Sequence, residues 1–543
     1  MDNTPYAPLA SINIWDQVTK TAERLPEKEV FILRDERMTF NDLKERAGRL
    51  ANALYSLNLK KGDMAAIYMP NSLELNLAFY AFQKLGVAVA WINPAYREKE
   101  SSFILGDSKA KAVVAFESWQ NFNYKDSLLS LKGSLPELEH IIVVSEKGDF
   151  GGEEGVLSFV ELASSDAASV PHEDQDVKPD DLSMLLYTSG TTGKPKGAMI
   201  GQSQVLRAGL SYSLCVDAKE DDVFLGFLPM GHSYGCGALL VQPVVLGATV
   251  VMMDAFNPTE AFSLIERERV TLQPGAPAHY LMELAAKDRG DFDLSSLRAG
   301  MIAGQIAPAG LIKDVEEKMG VYISSFLGSS EVGPGNSIIL PYGSPLEVRE
   351  HFIGKPIPGT EVKIVDPVTG KEMGENEEGE IIISGWHVMK GYWNKPEETI
   401  KQLVDDWLHT GDLGVKSSSG NFKILGRLKD WINRGGFKII PSELEAILVD
   451  QGNIAEVSVV STPNPVLGES ICVCAKLHDS DKGLTLAEVR EFMKGKVAKF
   501  KLPDELLILD DFPRMPGGIK INRFSKGGLV EIATDNPAKE SLH

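Results

Sequence analysis

The chain has 543 residues, 43% hydrophobic and 24% charged, a globular composition that excludes disorder as the main state and allows two to four domains. Asp and Glu number 76 against 55 Lys and Arg, and the resulting charge of −21 excludes broad contact with a nucleic-acid backbone or an anionic membrane surface. Four cysteines make no disulfide framework, no His/Cys cluster has zinc spacing, and Cys472 and Cys474, two apart in an apolar run, read as buried thiols facing one side.

Met1 to Gln17 is polar and begins with an acid, so it lacks the basic start and apolar stretch of a secretory signal. Met64 to Met69 reads as a strand, Leu73 to Lys84 as a helix with mostly apolar faces, and Val87 to Ile92 as the next strand. Val113 to Phe116 and Ile141 to Val144 continue the alternation. Ser145 to Asp181 turns acidic and rich in Gly and Ser, which predicts surface loops with one short helix near Leu157 to Leu162. Further strands are expected at Val223 to Leu228, Thr249 to Met253 and Met301 to Ile302. The most apolar run, Ala238 to Met253, is broken by Gln242, Pro243 and Gly247, and reads as a buried helix and strand, not a membrane span. With no signal and no span, a reducing, cytoplasmic compartment is the expectation.

Repeated strand–helix–strand units predict an α/β fold with parallel sheets covered by helices. After Ile353 the pattern changes. Glu361 to Val365 and Gly379 to Ser384 alternate between Gly-rich turns and suggest a small β unit. Beyond Asp430 a smaller α+β domain is expected, with helices at Pro441 to Val449 and Leu486 to Val497 and strands at Val457 to Ser461 and Ile471 to Leu477.

The strongest local signal is Tyr187-Thr188-Ser189-Gly190-Thr191-Thr192-Gly193-Lys194-Pro195-Lys196-Gly197, directly after an apolar strand. Its glycines free the backbone to present N–H groups, its hydroxyls donate, and Lys194 and Lys196 bring charge, which together make a phosphate cradle. It is not a Walker loop, because Pro195 follows Lys194 where Ser or Thr is required.

This segment resembles the signature of the acyl-adenylate-forming (AMP-binding) superfamily, which includes acyl- and aryl-CoA ligases, and the resemblance extends over nearly the whole chain. Pro229-Met230-Gly231-His232, Gly328-Ser329-Ser330-Glu331, Gly354 to Gly359, Gly391-Tyr392, Thr410-Gly411-Asp412, Gly426 to Asp430 and Gly435-Gly436 to Glu445 follow in the family's order. The resemblance implies a large N-terminal domain, residues 1–425, and a small mobile C-terminal domain, residues 426–543. It implies ATP, Mg²⁺ and coenzyme A as cofactors and a carboxylic acid as substrate, in a monomer or homodimer. Thr188 to Lys194, Lys196, Ser329, Ser330, Asp412 and Arg427 would bind ATP, with Asp412 on the ribose hydroxyls. Glu331 would hold Mg²⁺, a hard ion suited to a carboxylate oxygen. Lys520 would reach the bond-forming oxygens, although it stands one residue later than the family pattern, with Lys526 as the competing candidate. Lys429 marks the hinge, and Gly435 and Gly436 would line the pantetheine tunnel. Phe227, His232, Ser233, Tyr280, Gln305 and Leu327 would line the acyl pocket, whose mix of rings and small residues suits an aromatic, alicyclic or short acid.

The sequence departs from the family at several points. Leu327 stands where an aromatic residue commonly faces adenine, with Phe326 as a neighbouring substitute. Gln202 and Gln204 replace residues of a motif that follows the phosphate loop. Three other readings compete. A free-standing adenylation enzyme could load a separate carrier protein. Gly231-His232-Ser233-Tyr234-Gly235 fits the nucleophile elbow of a serine α/β-hydrolase, with Asp254 and His279 downstream. A non-catalytic nucleotide-binding module would leave Glu331 and Lys520 idle.

Overall fold

The computed structural model describes residues 4–145, 155–171, 175–188, 195–434, 437–514, 521–524 and 527–542. The chain forms two compact units. The first holds Met1–Val362 and Ile383–Leu408, and the second Lys363–Ile382 and His409–His543. The boundary expected between residues 425 and 426 from the hinge motif falls inside the second unit.

Three helices near the start of the first unit are α1 (Ile14–Arg24), α2 (Phe40–Ser56) and α3 (Leu73–Leu85). Thr39 and Asp42 form a reciprocal capping box on α2, and Ser72 caps α3 through Leu75 N–H at 3.0 Å. Gly86, in the left-handed region, ends α3. Nearly all of α3 is buried, which is why its sequence lacks a polar face.

The seven-stranded sheet runs Val156–Ser158, His140–Val144, Ala112–Phe116, Met64–Tyr68, Ala88–Trp91, Leu182–Thr188, Lys196–Gly201. All neighbours are parallel except the last pair, a hairpin whose register sets Thr188 opposite Lys196. The acidic stretch expected to be loop and one helix also supplies an edge strand, and its helix starts two residues later, at Phe159–Ser164. Ser158 ends the strand and caps the helix, so one short polar residue serves two elements.

The nine-stranded sheet has the order Lys355–Pro356, Ile338–Ile339, Tyr322–Leu327, Ala299–Ile302, Leu272–Gly275, Val223–Gly226, Thr249–Met252, Glu29–Leu33, Glu36–Thr39. Its six middle strands are parallel and its edges antiparallel. The apolar run before Met253 forms a π-helix, Cys236–Val241, then a helix, Gln242–Leu246, and a buried strand. Among the described residues no helix is long and apolar enough to cross a membrane.

In the second unit, Asp412 to Lys416 pairs antiparallel with Phe422–Arg427. A further sheet has the order Phe437–Ile439, Ile432–Arg434, Gly468–Leu477, Glu505–Ile508, Glu540–Ser541, with Ile454–Asn464 also paired to Gly468–Leu477. Helices Pro441–Leu448, Leu486–Met493 and Leu529–Asp535 cover it. The middle one stops four residues short of the expected Val497, because Lys494 is extended and Gly495 takes a φ of +79°. Cys472 and Cys474 are both buried on one face, packed with Leu507, Phe512 and Leu529.

Candidate active site

Of the phosphate loop, Ser189, Gly190, Thr191, Thr192, Gly193 and Lys194 lie outside the described residues, as do Gly435, Gly436, Lys520 and Lys526. The two ends of the loop are held in the hairpin by the Thr188–Lys196 pairing. Its outer strand is an exposed edge by topology, and the segment from residue 389 to 393 covers it. Met199 N–H donates to Gly391 O, Lys390 N–H to Met199 O, and Trp393 N–H to Gly197 O, at 2.8–3.0 Å. Asp107 fastens the same segment, its backbone O accepting from Trp393 Nε1 at 3.1 Å, while its carboxylate accepts from Tyr187 Oη at 3.0 Å and pairs with Lys395 just beyond the segment.

That covering segment brings Tyr392 to Glu331. Tyr392 Oη donates to Glu331 Oε1 at 3.0 Å, and Met389 N–H donates to Glu331 O at 2.7 Å. Burial, then the Glu331 charge, pushes the Tyr392 phenol up, so it stays a donor. Lys196 does not extend toward solvent. It is 6% exposed, lies 4.6 Å from the Tyr392 ring centroid and pairs with Glu398 at 3.2 Å. The result is an alternating array of Glu331, Tyr392, Lys196 and Glu398 beside the ends of the loop.

Glu331 is half-buried and is the middle residue of the 3-10 turn Ser330–Val332, while Ser329 lies just ahead of the turn. Among the described residues no three His, Cys, Asp or Glu side chains form a metal-binding group. A divalent ion held by Glu331 would therefore take its other ligands from phosphate oxygens and water, which is how Mg²⁺ is commonly bound.

In the second unit Asp412 is 5% exposed and faces Arg427 across the hairpin, with Arg427 Nε donating at 2.8 Å. Thr410 Oγ1 accepts from Asp412 N–H and donates to Ile381 O. Glu380 accepts from Gly411 N–H at 3.0 Å and lies 2.8 Å from His409 Nδ1. Thr-Gly-Asp is thus a braced turn presenting one buried carboxylate, a suitable acceptor for paired hydroxyls. Lys429 lies in the turn Leu428–Asp430 with its ammonium 5.6 Å from the Phe524 ring. Asp430 and Glu445 both pair with Arg523, tying the hinge stretch to the helix Pro441–Leu448.

The expected acyl-pocket residues divide by environment. Phe227 packs against Phe256 and His279, with centroids 4.6 and 4.7 Å away. Burial lowers the His279 pKa to about 4, so its ring is neutral at pH 7, and its Nδ1 accepts from Ala276 N–H. Tyr280 is fully enclosed and donates to Gln273 O and Met301 O, the latter also accepting from Tyr234. Gln305 is exposed on a loop, and Leu327 is buried in its strand. Phe326 points into an aromatic cluster with Tyr212 and Tyr234, so it does not replace the aromatic residue missing at Leu327.

Packing explains the apparent hydrolase elbow. A Cβ on Gly235 would meet Pro229 O at 2.1 Å, so the glycine is needed for backbone approach. His232 is exposed and its Nδ1 accepts from Tyr234 N–H, His279 uses its Nδ1 at the start of its own helix, and Asp254 pairs with Arg34. Gln202 and Gln204 are structural. Gln202 bonds Gln83 and Ile14, and Gln204 donates to Trp386 O and Val388 O, anchoring the stretch that leads to Tyr392. Sequence reasoning read Tyr392 only as part of a glycine turn and missed Glu398 and Glu380, since nothing local links them to residues far along the chain.

Residues 18–393 match the family of AMP-binding enzymes, and residues 443–518 match the AMP-binding enzyme C-terminal domain. The long-chain-fatty-acid–CoA ligase of Bacillus subtilis is 30% identical, over 97% of this chain and 96% of that protein. The solved structure of an anthranilate CoA ligase with anthranoyl-AMP superposes with a TM-score of 0.85 at 25% identity, covering 97% of this chain and 98% of that one. The o-succinylbenzoate coenzyme A synthetase of Bacillus subtilis, solved with ATP and magnesium, gives 0.79 at 26% identity, covering 94% and 98%. Fold and site thus define an adenylate-forming, AMP-producing acid–thiol ligase, and the chain belongs to the AMP-binding enzyme family.

Proposed function

We propose that this ligase activates a ring-bearing or short carboxylic acid to its acyl-adenylate and transfers the acyl group to coenzyme A. The carrying observation is the Glu331–Tyr392 pair beside the ends of the phosphate loop. Attack of a carboxylate on the α-phosphorus of ATP brings two anions together and expels pyrophosphate, so donors and cations must sit where charge builds. In this reading Thr188 to Lys194 and Lys196 form or brace the phosphate cradle, Ser329 and Ser330 donate to the α-phosphate, and Glu331 carries Mg²⁺. Tyr392 holds one oxygen of Glu331 and leaves the other for the ion. Asp412 takes the ribose hydroxyls with Arg427 beside it. Lys520 stabilises the bond-forming oxygens. The C-terminal domain then turns about Lys429, and a thiol guided past Gly435 and Gly436 attacks the mixed anhydride.

The acid is read from Phe227, Phe256 and His279, a cluster of apolar and uncharged rings against which a planar acyl group packs. In this reading the buried Tyr234 and Tyr280, both held on Met301 O, leave little room for a long alkyl chain. The anthranilate CoA ligase supports a ring-bearing acid, while the long-chain relative supports the opposite. Pyrophosphate release with benzoate-type acids and with hexadecanoate separates them. A kcat/KM about tenfold or more higher for the aromatic acid is expected, which corresponds to a mismatch cost of about 1.4 kcal/mol or more. Preference for hexadecanoate would overturn the substrate reading and leave the ligase chemistry standing.

A further inference from the structure

A concave dent of about 540 Å³ lies on the helical face formed by α1, α2 and α3, and no motif residue lines it. Its wall carries three cations, Lys44, Arg49 and Lys84, against one acid, Glu45, in a chain whose overall charge is −21. Local sign and global sign are thus opposed here.

Three details set the dent apart from an ordinary basic surface. Lys84 is half-buried and carries no ion pair among the described residues; its ammonium sits 5.0 Å from the Trp15 ring centroid. Burial lowers its pKa with no carboxylate to offset the cost. Its place in the last turn of α3 favours a cation but does not neutralise it. The second detail is Gly48, in the middle of α2. A helix-interior glycine costs about 1 kcal/mol relative to alanine. No packing contact demands it, because a Cβ there would meet Lys84 Nζ at 3.5 Å and Trp15 Cη2 at 3.8 Å, ordinary van der Waals distances. What the missing side chain does is keep the dent open between the cation and the indole. The third is that an aromatic ring stands beside the cations, as a ligand with both a planar and an anionic part requires.

We propose that this dent is a second ligand site, for a small phosphorylated anion, held by Lys84, Lys44 and Arg49 with Trp15 as an aromatic wall. An anion there neutralises the half-buried Lys84 ammonium and gains charge-assisted hydrogen bonds from Arg49. A volume in this range suits a nucleotide or smaller phosphate compound.

The test is lysine acylation footprinting of the full chain, read by mass spectrometry, with inorganic pyrophosphate or AMP as probe and sodium chloride at matched ionic strength as control. Because labelling is read residue by residue, occupancy of the catalytic site does not confuse the result. Expected is a fall in Lys84 and Lys44 labelling of about fivefold or more at probe concentrations well above Kd. That protection should be lost in Arg49→Ala, an exposed position that tolerates change, and in Gly48→Leu, which fills the dent. Protection by pyrophosphate alone assigns a phosphate subsite; protection by AMP as well assigns the Trp15 wall to the base. No protection, equal protection by sodium chloride, or protection that survives in Arg49→Ala overturns the proposal.

Discussion

Glu331 keeps one carboxylate oxygen on the Tyr392 hydroxyl, and this single contact separates two substitutions. If Glu331 holds Mg²⁺ as proposed, Glu331→Gln removes the charge the ion would need, and carboxylate-dependent ATP–pyrophosphate exchange should fall by about 10²-fold or more, the scale of losing a main electrostatic group. Tyr392→Phe removes only the hydrogen bond that orients it. That variant should lose about tenfold and raise the Mg²⁺ concentration needed for half-maximal exchange. Equal losses in both would contradict the division of labour. At Asp412 the buried carboxylate has Arg427 already in place, and Asp412→Asn should raise the KM for ATP more than it lowers kcat, read by steady-state exchange kinetics.

A second residue-scale consequence concerns Glu283, fully buried on the helix Pro277–Ala285, whose carboxyl group has Gln273 as its one hydrogen-bond partner among the described residues, at 2.8 and 3.0 Å from its two oxygens. Burial raises its pKa from 4.5 to about 8, so it is a neutral acid at pH 7. Turning the Gln273 amide over would let its oxygen, otherwise without a partner, accept the Glu283 proton. For a raised carboxyl pKa the folded state holds the proton longer than the unfolded one. Stability is therefore unaffected below the unfolded pKa and falls as pH rises toward 8. Glu283→Gln removes that dependence. Its gain in thermal midpoint over the parent should be absent near pH 4 and grow steadily to pH 8; a gain independent of pH would contradict the assignment.

Elements were legible where burial and period agreed. Met64–Tyr68, buried at every position, and α3, buried over most of its length with mostly apolar faces, follow from their sequences because a parallel sheet covered by helices demands such runs. Val156–Ser158 was not legible, since a three-residue edge strand between acidic loops has no periodicity to detect. The site divides in the same way. Glu331 and Asp412 are visible because their motifs are contiguous in sequence. Tyr392 reaches Glu331 only because 389–393 lies along the hairpin edge, a tertiary fact with no local signature. Glycines report packing at this scale. Gly354 has a φ of +99°, and a Cβ there would meet Ile339 O at 1.7 Å. Gly354→Ala should cost about 2 kcal/mol or more, seen as a lower unfolding midpoint with little change in KM for ATP in the folded fraction.

At the scale of the whole molecule, the charge of −21 means that every phosphate must be met by local groups against an unfavourable field. Salt should therefore affect nucleotide binding less through long-range steering than through the loop itself. Two half-reactions served by different residues of one chain should also be separable. Lys520→Ala should lose adenylate formation yet still convert a supplied acyl-adenylate to the thioester, whereas Gly436→Leu should form the adenylate and fail to make the thioester. In the proposed reaction a carboxylate cleaves ATP to AMP and pyrophosphate before any thiol is needed. Its most direct test is pyrophosphate release from purified enzyme, ATP and Mg²⁺ across a set of carboxylic acids, first without and then with coenzyme A. Expected is a stoichiometric burst of pyrophosphate that requires the acid but not coenzyme A, followed by turnover to acyl-CoA when coenzyme A is added. Pyrophosphate release that ignores the acid, or that begins only after coenzyme A is present, would contradict it.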